Sequence, residues 1–277
     1  MKKINTLKRL ACALLLLSAG LLSGCSLNRT AARVTSGVIH RGLPSVYSQE
    51  DPQYVKEALP ANLQLMEILL TSHPDNKRLL TNTAQGFCGY ALLFLEDGNP
   101  VRASGFYKKG EIYSARALKG AAPVAAKKTD LAPLFWNTFC KALYININRD
   151  DPEAVAELPT LEPAIEKLLE LDPSYYYNGP RTLMGAYYSI RPRMFGGDPD
   201  KARAHFELAL KGGGEHFLMN RLMYAKLGAV AAQDQELFEN LLNYIISAET
   251  REGETRLPDE VAKIKAKKLL EAKDELF

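Results

Sequence analysis

The stretch Gly196-Gly197-Asp198-Pro199-Asp200-Lys201-Ala202-Arg203-Ala204-His205-Phe206-Glu207-Leu208-Ala209-Leu210 decides the fold class. A helix is expected over about 198–211, following the insertion that ends at Asp198. Ala202, Phe206 and Ala209 then fall on one helical face, with Leu210 beside them. Small residues on that face let a second helix approach, and the aromatic ring fills the hole between them. The preceding segment, expected helical over about 180–190, carries Gly185, Tyr187 and Tyr188 as its counterpart. A further unit follows in register, with Tyr188 and Tyr224 36 residues apart and Phe206 and Leu241 35 apart.

This is the grammar of tetratricopeptide repeats, whose period is about 34 residues. Leu171-Asp172-Pro173 supplies the proline that closes a unit. Earlier units are looser, since Ala103 to Ala154 is 51 residues and Ala154 to Ala202 is 48. Between Tyr188 and Ala202 lies an insertion, Arg191-Pro192-Arg193-Met194-Phe195-Gly196-Gly197-Asp198. It reads either as a contact loop or as plain surface. Helical patterns run from about Asp51 almost without a break, with stops at His73-Pro74-Asp75, Asp97-Gly98-Asn99-Pro100 and Gly120 to Thr129. No segment sustains the period-two alternation of a strand. The expected fold is all-α, a divergent helical-repeat solenoid of roughly 10 to 12 helices.

The first 24 residues read as a secretory signal, with Lys2, Lys3, Lys8 and Arg9 ahead of the apolar run Leu10 to Leu22. That run is shorter than the roughly 20 residues of a spanning helix. Leu22-Ser23-Gly24-Cys25 resembles the bacterial lipobox, in which the cysteine is acylated and becomes the first residue. Two or more acyl chains, at roughly 0.8 kcal/mol per buried methylene, would hold the protein on a bilayer. The expected organisation is a signal over 1–24, a tether over 25–50 from lipidated Cys25, and a helical-repeat domain over 51–277 ending in a capping helix. Ser26 after the cysteine leans towards the outer membrane.

The formal charge is +3, but residues beyond 24 hold 31 Lys and Arg against 32 Asp and Glu, a balance of −1. A nucleic-acid partner would need a basic excess there, so none is expected. Cys88 and Cys140 are the remaining thiols, each in an apolar helical stretch. The compartment permits a disulfide, yet burial of free thiols is common and the geometry of a bridge is demanding, so two buried thiols are favoured. His40, His73, His205 and His216 are dispersed without metal-binding spacing, and no cofactor is expected. Lys127-Lys128 and the lysines from Lys263 to Lys268 read as solvated faces.

Several stretches together resemble the T component of tripartite ATP-independent periplasmic (TRAP) transporters, the TatT family of tetratricopeptide-type lipoproteins. They are Leu171-Asp172-Pro173-Ser174-Tyr175, Gly179-Pro180-Arg181 with Gly185, the Gly196–Leu210 stretch, Tyr224-Ala225, the run Gln233–Leu242, and the terminal Ala262–Leu270 with Asp274-Glu275-Leu276-Phe277. The resemblance covers roughly residues 50–277 and is strongest after 160. The aromatic Tyr175-Tyr176-Tyr177-Asn178 departs from it. What the resemblance implies is a partnership with a periplasmic solute-binding protein, delivery of a small, hydrophobic organic acid to a membrane transporter, and assembly as a homotrimer with a pore-like channel through each protomer.

Candidate ligand or partner residues are Tyr175, Tyr177, Arg181, Tyr187, Arg191 and Arg193. Tyrosine offers an apolar body with a polar tip, and arginine can pair a carboxylate through two parallel bonds. The competing reading makes the tyrosines repeat packing and the arginines solvated. Nothing resembles a nucleophile elbow, phosphate loop or zinc-protease motif, so catalysis is not expected. Two function classes remain: an accessory of solute import, and a repeat scaffold for envelope assembly without a small ligand.

Overall fold

The computed structural model describes residues 27–277; the expected signal and Cys25 lie outside the described residues. Among the described residues there are helices and turns and no strand, as the repeat pattern requires. α1 spans 27–47, and α2 to α5 span Pro52–Ser72, Lys77–Tyr90, Pro100–Ala117 and Leu131–Ile147. After the short α6 (Pro152–Ala156), α7 and α8 cover Leu161–Leu171 and Tyr175–Ile190. α9 (Pro199–Ala209), α10 (Leu218–Met223), α11 (Val230–Ala232), α12 (Gln235–Ser247) and α13 (Arg256–Glu271) complete the chain.

Four of the helix starts follow one local device. Asp51, Asn99, Asp151 and Asp198 each precede a proline, and each side chain accepts an amide of the first turn. Such a cap contributes about 1 kcal/mol. Within the segment read as a tether with room for a short helix, residues 27–47 are one long helix. They form a docked helix whose buried face is made of small residues, Ala32, Ser36 and Gly37, so it carries little apolar signal. Asn76 Nδ2 donates to Ser36 Oγ at 3.1 Å, and Gln85 Nε2 donates to Tyr47 Oη at 2.7 Å.

α3, α4 and α5 pack side by side. Cys88 on α3 and Cys140 on α5 form a disulfide, with their Cα atoms 5.6 Å apart. This overturns the expectation of two free thiols. Both cysteines are fully buried, and α4 crosses over them at Gly110. A Cβ there would lie 2.1 Å from Cys88 Sγ and 2.7 Å from Cys140 Sγ, so only glycine fits. The spacing of 52 residues gave no hint of the bridge, because it arises from two helices separated by a third.

The repeat grammar is realised in α8, α9 and the rod that begins at α10. Phe206 is fully buried and its ring stacks on Tyr224, centroids 4.8 Å apart and planes 12° apart. Gly185 of α8 faces the same ring, where a Cβ would come within 2.8 Å of Phe206 Cδ2. That contact is the reason for glycine at this point of the motif.

The terminal helix does more than cap. α13 packs on α10 and α12 and also reaches α2, and Arg256 pairs with Glu50. The last helix thus returns to the first part of the chain and encloses the interior. Lys265, expected on a solvated face, is 7% exposed and bonds Asp97 at 2.5 Å.

Candidate functional site: an apolar cavity with a charged partition

α3, α5, α8 and α10 surround a narrow cavity of about 90 Å³ that opens to the surface. Its walls are overwhelmingly apolar, with Leu92, Trp136, Phe139, Leu183, Met219 and Leu227 among them. Tyr47, at the end of α1, and Pro258 of α13 complete the lining. Burial pushes the Tyr47 and Tyr176 hydroxyls well above the ordinary phenol range, so both stay neutral.

Three backbone irregularities shape this space. Tyr176, Tyr177 and Asn178 are consecutive residues with positive φ, at 45°, 57° and 64°. Non-glycine residues in that region cost of order 1 kcal/mol or more each, and such strain gathers at functional sites. Polar anchors hold it here. Asn178 Nδ2 donates to Ala209 O at 3.1 Å and to Lys211 O at 2.6 Å. Asn220 Nδ2 donates to Tyr177 O at 2.6 Å, while Asn220 Oδ1 accepts from Thr182 Oγ1 at 3.0 Å. The twist sends Tyr176 into the cavity and lays Tyr177 on Phe217, centroids 4.6 Å apart.

The other two irregularities are wide π-turns, Ala91–Leu95 after α3 and Tyr224–Ala229 after α10. Such turns are rare and recur at functional sites. They present the cavity's only ionic pair among the described lining residues. Lys226 Nζ lies 2.5 Å from Glu96 Oε1, and Tyr107 Oη donates to Glu96 Oε2 at 2.5 Å. Glu96 is 7% exposed, and both partners offset the cost of burying it. Asn146 Oδ1, also on the lining, is buried without a hydrogen-bond partner, an acceptor open to a ligand.

Of the six sequence candidates, Tyr187 alone reaches the cavity wall. Its hydroxyl donates to Glu162 Oε2 at 2.8 Å and accepts from Arg191; burial first, then Glu162, raises its pKa. Arg191 lies 4.7 Å over the Tyr187 ring and 3.6 Å from Glu162, so its charge is already matched. Tyr175 packs edge-on to Phe135, and burial pushes its hydroxyl up to about 12. Tyr177 supports the twist. Arg181 is half-buried near His205, whose pKa is lowered by burial and then by that charge. Arg193 is exposed on the turn Arg193–Phe195, next to the exposed Met194 and Phe195. The arginines therefore do not converge on the cavity; Lys226 is its cation. The signal available in the sequence was a lone charge inside an apolar run, Leu222-Met223-Tyr224-Ala225-Lys226-Leu227, matched by Leu92-Leu93-Phe94-Leu95-Glu96.

No group of three metal-ligating side chains occurs among the described residues, and no helix among them is long and apolar enough to cross a membrane. Fold and cavity together define a helical-repeat protein with an internal apolar cavity. Residues 48–277 match the TRAP transporter T-component family, and the chain belongs to that family. No curated protein matches the chain. Membership makes it a component associated with a TRAP transport system of the cell envelope.

Proposed function

We propose that this chain is a non-catalytic lipoprotein, anchored through Cys25 to the outer membrane and facing the periplasm. In this reading it associates with the solute-binding protein of a TRAP transporter and assists uptake of a small, hydrophobic organic acid. The observation that carries the reading is the apolar cavity, with a single lysine among its lining residues, in a member of the T-component family. An apolar cavity with a few placed polar groups is the usual form of a small-molecule site. Lys226 is the group that suits an acid. The strained Tyr176–Asn178 segment and both wide turns border the same space, which supports a role in binding over one in packing alone.

The test is a pull-down of the full lipoprotein from its native envelope, with mass spectrometry of what accompanies it. Near-stoichiometric recovery of a periplasmic solute-binding protein is the expected result. Recovery of envelope-assembly factors without any solute-binding protein would overturn the reading in favour of a scaffold.

A further inference from the structure

α1 has two apolar faces, and the fold uses only one of them. Ala32, Ser36 and Ile39 share the inner side, where Ala32 and Ser36 are buried and Ile39 packs against the core. Polar contacts fasten that side: His40 Nδ1 lies 3.3 Å from Asn82 Oδ1, alongside the Ser36–Asn76 and Tyr47–Gln85 bonds. Leu27, Ala31, Val34 and Val38 recur at helical spacing and form a stripe about 60° wide on the opposite side. All four are exposed, with Leu27 at 69%, Val34 at 61% and Val38 at 56%. The stripe runs for roughly 16 Å along the helix.

Charge marks the same helix. Between Leu27 and Tyr47 the chain carries Arg29, Arg33 and Arg41 and no Asp or Glu. All three arginines are exposed. Among the described residues, the arginines with carboxylate partners are Arg191, Arg203 and Arg256. The α1 cations are therefore open to an outside anion.

We infer that this face of α1 lies flat on a phospholipid bilayer, with the apolar stripe in the headgroup boundary and the arginines on lipid phosphates. The inference rests on the proposed anchor at Cys25. Leu27 is two residues beyond Cys25, and two residues reach at most about 7 Å, so acyl chains on Cys25 bring the start of α1 to the membrane. A basic amphipathic helix on such a surface settles with its apolar face roughly 5–10 Å into the boundary. An upright α1 would instead leave Val34 and Val38 in water. Because the inner side is fastened to the body, a flat α1 holds the whole molecule at one orientation to the bilayer.

The test reads depth along the stripe in the full lipoprotein, reconstituted in vesicles of equimolar phosphatidylethanolamine and phosphatidylglycerol. Cys88 and Cys140 are joined in their bridge, so a thiol introduced by Leu27→Cys, Val34→Cys or Val38→Cys takes a fluorescent label, which is quenched by nitroxide-bearing phospholipid. Level quenching at all three positions is expected. A steady fall from Leu27 to Val38 would overturn the inference, since an upright helix held by its anchor alone gives that profile. Each cation near an anionic surface changes binding about fivefold. Arg29→Gln, Arg33→Gln and Arg41→Gln together should shift docking by up to roughly 100-fold, seen as lost quenching at Val38→Cys. Replacing phosphatidylglycerol by phosphatidylcholine, which leaves the protein untouched, should act in the same direction; quenching indifferent to both changes would overturn the assignment to lipid phosphate. Crosslinking between copies at Val34→Cys without lipid quenching would overturn the inference too, and make the stripe a seam between copies. Mass spectrometry of Cys25 separates the two readings. An unacylated protein with the level profile would remove the anchor and keep the docking face, whereas an acylated protein with the falling profile would keep the anchor and remove the face.

Discussion

The wall built by α3, α4 and α5 and the wall built by α8, α9 and α10 both bring helices so close that a glycine is required at the contact. They are locked by different means. In the first, Gly110 lies over the Cys88–Cys140 bridge, a covalent tie between helices with no repeat register. In the second, Gly185 lies over the Phe206 ring, which stacks on Tyr224 without any covalent help. Where the repeat grammar is strong, complementary side chains suffice. Where it has decayed, as in the looser spacing before residue 160, a disulfide takes over. The loop it closes removes freedom from the unfolded chain rather than adding contact to the folded one.

Phe206→Ala should strike hardest, because it empties the centre of the second wall. A loss of about 3–5 kcal/mol is expected from chemical denaturation. A loss below 1 kcal/mol would mean that Tyr224 can collapse into the space and that stacking is not what locks this wall. Replacing Cys88 and Cys140 together by alanine should cost the first wall roughly 2–4 kcal/mol, and adding reductant to wild type should match it. Equal stability with and without reductant would dissolve the contrast.

Asp259 sharpens the comparison through pH. Its carboxylate accepts the Leu218 amide at 2.8 Å, fastening the start of α10 to α13, and burial raises its pKa to about 6. The folded chain then keeps this proton up to about pH 6, whereas the unfolded chain releases it near pH 4. Stability from this group is full below pH 4 and is lost as pH rises through 6. Asp259→Asn keeps the acceptor and removes the charge, so its advantage over wild type should grow by roughly 2–3 kcal/mol between pH 4 and 6. A parallel pair of stability curves would show that Asp259 ionises freely. The smallest effect belongs to Gln233, a helix end with φ 53°. Gln233→Gly should stabilise by about 0.5–1 kcal/mol, read as a rise in melting temperature.

The helical class, the repeat register after residue 170 and the helix starts at Asp51-Pro52 and Asp198-Pro199 were legible, because Asx-Pro pairs and the Ala202–Phe206–Ala209 face are local patterns. α1 was hidden by its small-residue interface. The disulfide was hidden by the helix threaded between its cysteines. The site was only half legible. The aromatic cluster at Tyr175–Asn178 stood out, yet its structural role is a backbone twist, and Tyr176 rather than its neighbours enters the cavity. The arginines drew attention as carboxylate partners, but Arg191 already has Glu162. Lys226 gave a weaker signal because a single lysine in a helix is ordinarily a surface residue; only the apolar run around it marks it as buried.

The wide turn before Glu96 has a consequence for how this chain tolerates change. Glu96 donates its amide to Ala91 O, five residues back, at 2.9 Å, so the helix carries one residue more than a regular turn holds. Deleting one residue between Ala91 and Leu95 should let the turn close to regular winding with the helix beyond it still in phase, because the wide turn already absorbs the extra residue. A deletion in the regular part of α3 has no such slack and would rotate Glu96 and Asp97 by about 100°. The wide turn is thus the place where this wall tolerates a change of one in chain length without losing its charge pattern.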